Sequence, residues 1–125
     1  MADFSPEALA AAAREREVQL VTTGRKSGER RLVVIWLTID GRRLFIRSGG
    51  GLTRHWPQNL LAGGPAALKL SSLEIPVRAR HVTDSSEARA ISGYVARKYG
   101  ASVRRSSEGE PLTPGEQATF ELLPA

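Results

Sequence analysis

Two short stretches of the chain carry residue types suited to gripping an anion. Gly24-Arg25-Lys26-Ser27-Gly28 sets two cationic side chains and a hydroxyl between glycines that permit a tight turn. Successive backbone amides in such a turn can form an anion-binding nest. Ser48-Gly49-Gly50-Gly51 ends an apolar strand and opens a short helix. Backbone there can approach a phosphate closely, and a helix dipole favours negative charge. Neither stretch has Walker or Gly-x-Gly-x-x-Gly spacing. Taken alone, each also has the composition of an ordinary solvated turn.

Around them stand a few further candidates. Arg30 and Arg31 begin a strand and face opposite sides of it. Trp56 and Asn59 lie three apart and are expected on one face of a short helix. Trp36, Trp56, Tyr94 and Tyr99 are expected first as core anchors. His55 and His81 are the only histidines, and there is no cysteine. No metal-ligand spacing is present, so no metal is expected. No nucleophile elbow or kinase signature appears, and no side chain is singled out as a general base. The catalytic residue is unknown, and redox chemistry here would have to be a cofactor's.

The elements that position these residues follow from local pattern. Ser5-Pro6-Glu7 starts a helix over about 5–16, with Phe4, Leu9 and Ala12/Ala13 as its apolar face. Val18–Thr23 reads as a strand, and Leu32–Ile39 as a buried strand. Asp40-Gly41 is expected as the two-residue turn leading to a return strand, Arg43–Ser48. A helix over Thr53–Ala62 follows, with Pro57 in its first turn. Strands Ala66–Leu73 and Ile75–Val82 come next, then a helix capped by Asp84 or Ser85 and ended by Gly100. Ser102–Gly115 is expected as a loop, either lid or mobile segment, and Ala118–Leu123 as the last strand. Hairpin connections favour an antiparallel sheet closing into a barrel, with helices outside.

The 125 residues suit a single domain spanning 1–125. Hydrophobic residues make up 41% and charged residues 25%, which argues against general disorder. No apolar run is long enough for a membrane helix, and the N-terminus lacks the basic flank of a signal peptide, so a cytoplasmic protein is expected. The formal net charge is +5, carried almost entirely by arginine. An anionic partner or a generally arginine-rich composition would both account for it. Nucleic acid is not the expected partner, because no helix-turn-helix, zinc-finger or ribonucleoprotein motif is present.

Taken in order, the pieces resemble a known family. Val18-Gln-Leu-Val-Thr-Thr-Gly-Arg-Lys-Ser-Gly-Glu-Arg-Arg, an apolar strand, the Asp-Gly hairpin, Ser48-Gly-Gly and Trp56-x-x-Asn59-Leu60 together resemble the deazaflavin-dependent nitroreductases. These are split β-barrel proteins, grouped with the pyridoxamine-phosphate-oxidase-like flavin binders. The resemblance covers roughly Val18 to Leu70, and Phe120-Glu-Leu-Leu-Pro looks like the family's closing strand. It implies an α+β fold, a six-stranded, mostly antiparallel split barrel with peripheral helices. It also implies a homodimer, a deazaflavin (coenzyme F420) or alternatively FMN as cofactor, and a small electron-poor or conjugated substrate. By the same resemblance Arg25, Lys26, Ser27 and Arg31 would meet the cofactor's phosphate and acidic tail. Ser48, Gly49 and Gly50 would close over the phosphate, Trp56 and Asn59 would support from the helix, and backbone around Val33 to Ile35, Val34 included, would line the ring. Two departures stand out. Position 49 is Gly where the family pattern has Lys, and the second strand carries an apolar residue near Val34 in place of proline. The segment Tyr94-x-x-x-Lys98-Tyr99-Gly100 looks closer to a small group related to the same barrel. A non-catalytic binding module therefore stands beside the enzyme as an alternative.

Overall fold

The computed structural model describes residues 3–100 and 103–125. The first two residues of the chain and the start of the expected 102–115 loop lie outside them. Six strands form a closed antiparallel barrel: β1 (Glu17–Thr23), β2 (Arg30–Asp40), β3 (Arg43–Arg47), β4 (Ala66–Leu70), β5 (Leu73–His81) and β6 (Thr119–Pro124). Their order around the barrel is β1-β2-β3-β6-β5-β4, so the fold expected from the hairpins is the fold observed. Among the described residues, four helices surround it: α1 (Pro6–Arg14), α2 (His55–Leu61), α3 (Ser85–Tyr99) and α4 (Pro114–Gln117).

The barrel interior is filled by alternate strand residues. Leu20, Leu37, Leu44, Ile46, Leu68 and Phe120 point inward and are fully buried. Ala8, Ala11 and Ala12 of α1 and Leu60 of α2 pack against the same core. A second cluster lies outside the wall, where Phe45 of β3 meets Val82 and Ala88, Ile91, Val95 and Tyr99 of α3. Strand β3 is thus buried on both faces, which explains its unbroken apolar run.

Several local expectations shift. The β2–β3 register pairs Asp40 with Arg43, so the turn residues are Gly41 and Arg42, not Asp40 and Gly41. Gly41 alone has positive φ, +62°, as the first position of a type II′ turn requires. Helix α1 stops at Arg14 rather than near Arg16, and Ala13 on its expected apolar face is exposed. Helix α2 starts at His55, two residues later than expected, and Pro57 stays in its first turn. The β4–β5 turn falls at Ser71-Ser72. Ser71 takes a left-handed φ of 53°, held by its amide and hydroxyl on the Glu15 carboxylate.

The expected loop contains α4. Thr113 and Glu116 form a reciprocal capping box with Pro114 at the first helical position, a Thr-Pro-Gly-Glu signal readable from sequence. Strand β2 is buried on only one face over its first half. Leu32, Val34 and Trp36 are each about half exposed, so Trp36 is not the core anchor expected.

Candidate cofactor groove

The barrel is split beside β2. Residues 30–36 of β2 pair with β1, but pairing with β3 begins only at Leu37↔Ile46. Continued register would set Trp36 against Arg47 and Val34 against Gly49. The chain instead leaves the sheet at Ser48, whose amide donates to the Ala118 carbonyl at 3.0 Å. A groove of about 520 Å³ opens between the free edge of β2 and the departing Arg47–Gly50 segment. Its apolar wall includes Val34, Trp36, Phe45, Ile91 and Val95. Ser48, Gly49, Gly50 and Arg54 line its polar end, with Trp56 beside them. The volume and apolar character suit a small organic ligand.

The residues singled out from sequence fall into two groups. Val34, Ser48, Gly49, Gly50 and Trp56 line the groove. Arg25, Lys26, Ser27, Arg31 and Asn59 line a separate cavity of about 220 Å³, together with Gly24 and His55. The two spaces share no lining residue, and they adjoin residues two apart on β2, Arg31 and Val33, and consecutive residues of α2, His55 and Trp56. Trp56 and Asn59 accordingly do not act on one face together. Trp56 packs on Phe120, with ring centroids 6.0 Å apart. Asn59 turns the other way and is buried, donating to the Thr22 hydroxyl at 3.1 Å and accepting from the Arg25 guanidinium at 3.0 Å.

The backbone donors also sit differently from the expectation. In the Gly24–Gly28 turn and the residue after it, the amides of Gly24, Arg25, Gly28 and Glu29 all donate within the chain. The Lys26 and Ser27 amides have no acceptor among the described residues, so that turn offers two free amides beside its side-chain cations. In the glycine run likewise, Ser48 and Gly51 donate, and the Gly49 and Gly50 amides have no acceptor among the described residues.

Arg47 of the groove lining heads a buried polar network that no local sequence pattern reveals. Arg47 donates to the Ser92 hydroxyl at 2.8 Å and the Ala88 carbonyl at 3.2 Å. Ser92 in turn donates to Glu116 at 2.7 Å. Glu116 is fully buried and also accepts from the Ser106 hydroxyl and the Thr113 amide, at 2.6 and 2.9 Å. Burial opposes ionisation of Glu116, but hydrogen bonds from Ser106, Thr113 and Ser92 outweigh it and hold the carboxyl at about 2. Burial brings Arg47 down to about 10, opposed by the Glu116 charge, so both remain ionised near neutrality. The network ties the segment carrying Val103 and Arg104, which also line the groove, to α3 and α4. Only the Thr113–Glu116 cap was visible locally; Arg47 and Ser92 meet through tertiary contact.

At the opposite end, α3 latches onto the ladder. Tyr99 accepts from the Leu37 amide at 3.1 Å and approaches the Arg16 carbonyl at 2.6 Å. Lys98 donates to the carbonyls of Ala12, Glu15 and Leu37, at 2.8, 2.6 and 2.6 Å. The segment around Lys98-Tyr99 thus joins α1, β1 and β2.

A bacterial family described as "Uncharacterized protein conserved in bacteria (DUF2255)" matches residues 8–122. The chain belongs to that family. Among curated proteins, none matches the sequence. Three solved structures place this DUF2255 member within a wider fold. An F420-H2 dependent reductase (FDR-A) is 21% identical with a TM-score of 0.66, covering 87% of this chain and 95% of its own. A putative pyridoxamine 5′-phosphate oxidase from Listeria innocua is 14% identical with a TM-score of 0.68, covering 94% and 90%. The heme storage protein HutZ from Vibrio cholerae is also 14% identical with a TM-score of 0.68, covering 99% and 92%. These likenesses establish the split-barrel fold. Among the described residues, no helix is long and apolar enough to cross a membrane.

Proposed function

We propose that the groove holds a flavin-type cofactor, with coenzyme F420 first and FMN as the alternative, and that the protein is an oxidoreductase acting on a small electron-poor or conjugated substrate. The observation that carries this reading is the split itself. A free β2 edge at Val33–Trp36 faces a glycine loop with two unengaged amides across an apolar groove. A flat ring fits along the edge, and its acidic substituent reaches the loop. When bound, such a cofactor supplies the hydride chemistry that no side chain lining the groove offers. Val34 and Trp36 supply contact for the ring. Ser48, Gly49 and Gly50 are assigned to the phosphate, and Trp56 supports their loop. Arg25, Lys26, Ser27, Arg31 and Asn59 are assigned to a more distant acidic tail in the neighbouring cavity.

The reading includes a homodimer. Leu32, Val34 and Trp36 form an exposed apolar row beside the groove, of the kind that marks an interaction surface. A second copy covering that row would also exclude water from the ring. Haem fits less well: none of the groove-lining residues is His, Met, Cys or Tyr, so this chain offers no axial ligand there.

Anaerobic titration of the protein with reduced F420 and with FMN, followed by turnover with a quinone or nitro acceptor, tests the reading. Low-micromolar binding of one cofactor with turnover is expected. Binding without turnover to any acceptor would make it a carrier, and no binding of either below high-micromolar concentration would remove the cofactor reading.

A further inference from the structure

Three arginines outside the sequence candidates, Arg47, Arg54 and Arg104, line the groove. Arg47 comes from the end of β3, Arg54 from the residue capping α2, and Arg104 from the segment before α4. Arg54 folds against Gly50. A Cβ on Gly50 would stand 2.5 Å from its Nε and 3.0 Å from Nη2, so glycine at 50 makes room for this arginine. Neither Arg54 nor Arg104 makes an ion pair or side-chain hydrogen bond among the described residues. Among the exposed arginines, 30, 42, 43 and 97 meet carboxylates, whereas Arg78 and Arg105, away from the groove lining, are also without a partner among the described residues. Arg47 is anchored through its terminal nitrogens, and its buried Nε has no partner. Among the described groove-lining residues the one carboxylate is Glu17, which pairs with Trp36.

The neighbouring cavity is basic as well, and its Lys26 makes no ion pair or side-chain hydrogen bond among the described residues. Arg25 is already held by Asn59, and Arg31 lies 4.0 Å from Glu29.

We propose that the Ser48–Gly50 end of the groove is an anion-binding end formed by Arg47, Arg54 and Arg104 with the Gly49 and Gly50 amides, and that the groove selects an organic anion with a flat apolar body. This rests on the groove being the ligand site, not on which cofactor occupies it. The argument is charge and geometry. Arg54 and Arg104, which meet no carboxylate, give an anion counter-charges beside an apolar wall where water is partly excluded. The acidic group, phosphate or carboxylate, lies at the arginine end and the apolar body along Val34 and Trp36. Arg54 thereby supplies at the loop a cation that position 49 does not carry.

The test uses a matched pair of probes, the anion 1-anilinonaphthalene-8-sulfonate and its uncharged analogue N-phenyl-1-naphthylamine, with fluorescence titration at low and high salt. The sulfonate is expected to bind at least tenfold tighter than the neutral probe and to weaken with salt. Arg54→Ala and Arg104→Ala are each expected to weaken the sulfonate at least fivefold while changing the neutral probe less than twofold. Arg42→Ala, on the β2–β3 turn, controls for net charge. Thermal melting verifies folding of each variant, and Arg47→Lys replaces Arg47→Ala so that a donor to Ser92 is kept.

Equal affinity for the two probes, no sulfonate binding, or no effect of Arg54→Ala and Arg104→Ala would overturn the proposal. So would a loss caused by Arg25→Ala instead, which would put the anion end in the other cavity. Arginine-dependent sulfonate binding without binding of F420 or FMN would uphold this proposal while removing the cofactor reading.

Discussion

Tyr99 lies flat against Trp36, with ring centroids 4.2 Å apart and planes 7° from parallel. The stack closes the end of the groove wall, because Trp36 lines the groove and Tyr99 anchors α3 to the β2 backbone. Tyr99→Phe keeps the stack and removes only the hydroxyl, leaving the Leu37 amide without its partner. A loss of about 1–3 kcal/mol is expected in chemical denaturation, with tryptophan fluorescence nearly unchanged. Tyr99→Ala should cost more and shift that fluorescence, since it also removes the stacked ring.

Glu116 gives a pH signature. Its folded carboxyl stands at about 2 against an ordinary 4.5, so its contribution is fully present above 4.5 and is lost as pH falls toward 2. Glu116→Gln should lower stability at pH 7 by roughly 2–4 kcal/mol, because an amide cannot accept from all its buried donors. The gap between wild type and variant should then narrow from pH 4.5 to pH 2. Urea denaturation at several pH values measures it, and a constant gap would count against the network.

Much of this fold is written locally. The Ser5-Pro6 start of α1, the Asp84 cap of α3 and Gly100 after it each satisfy helix-end groups within a few residues, and all three appear where expected. The split is different. Pairing of β2 with β3 stops at Leu37↔Ile46 while the β3 side stays bonded to β6 through Ser48 and Ala118, a long-range partner that no local pattern reveals. Arg47 likewise reads as an ordinary strand residue until α3 brings Ser92 beneath it. The exposed row on β2 was hidden by its own composition, since an apolar run looks the same whether it is buried by its own chain or awaits a second one.

Asn59 couples α2 to the turn after β1. Asn59→Ala should cost about 1–3 kcal/mol and free the Arg25 side chain, since both Thr22 and Arg25 lose a partner. Asn59→Asp keeps the acceptor for Arg25 and should cost less. Thermal melting of the two variants ranks them, and the reverse order would contradict the hydrogen bond from Arg25 to the Asn59 side-chain oxygen.

The apolar row predicts association. Light scattering coupled to size exclusion should give twice the 13.5 kDa chain mass. Leu32→Glu should shift it to the single-chain mass while leaving the melting of the barrel core in place, because Leu32 is exposed within one chain. A wild-type monomer would remove the dimer from the account.

The central claim is that the split beside β2 is a cofactor groove, and a crystal structure of the protein grown with F420 or FMN tests it most directly. The account predicts density for the ring along Val33–Ile35 with its phosphate at Ser48–Gly50. Density for the cofactor elsewhere on the chain, or an empty groove at saturating cofactor, would contradict it.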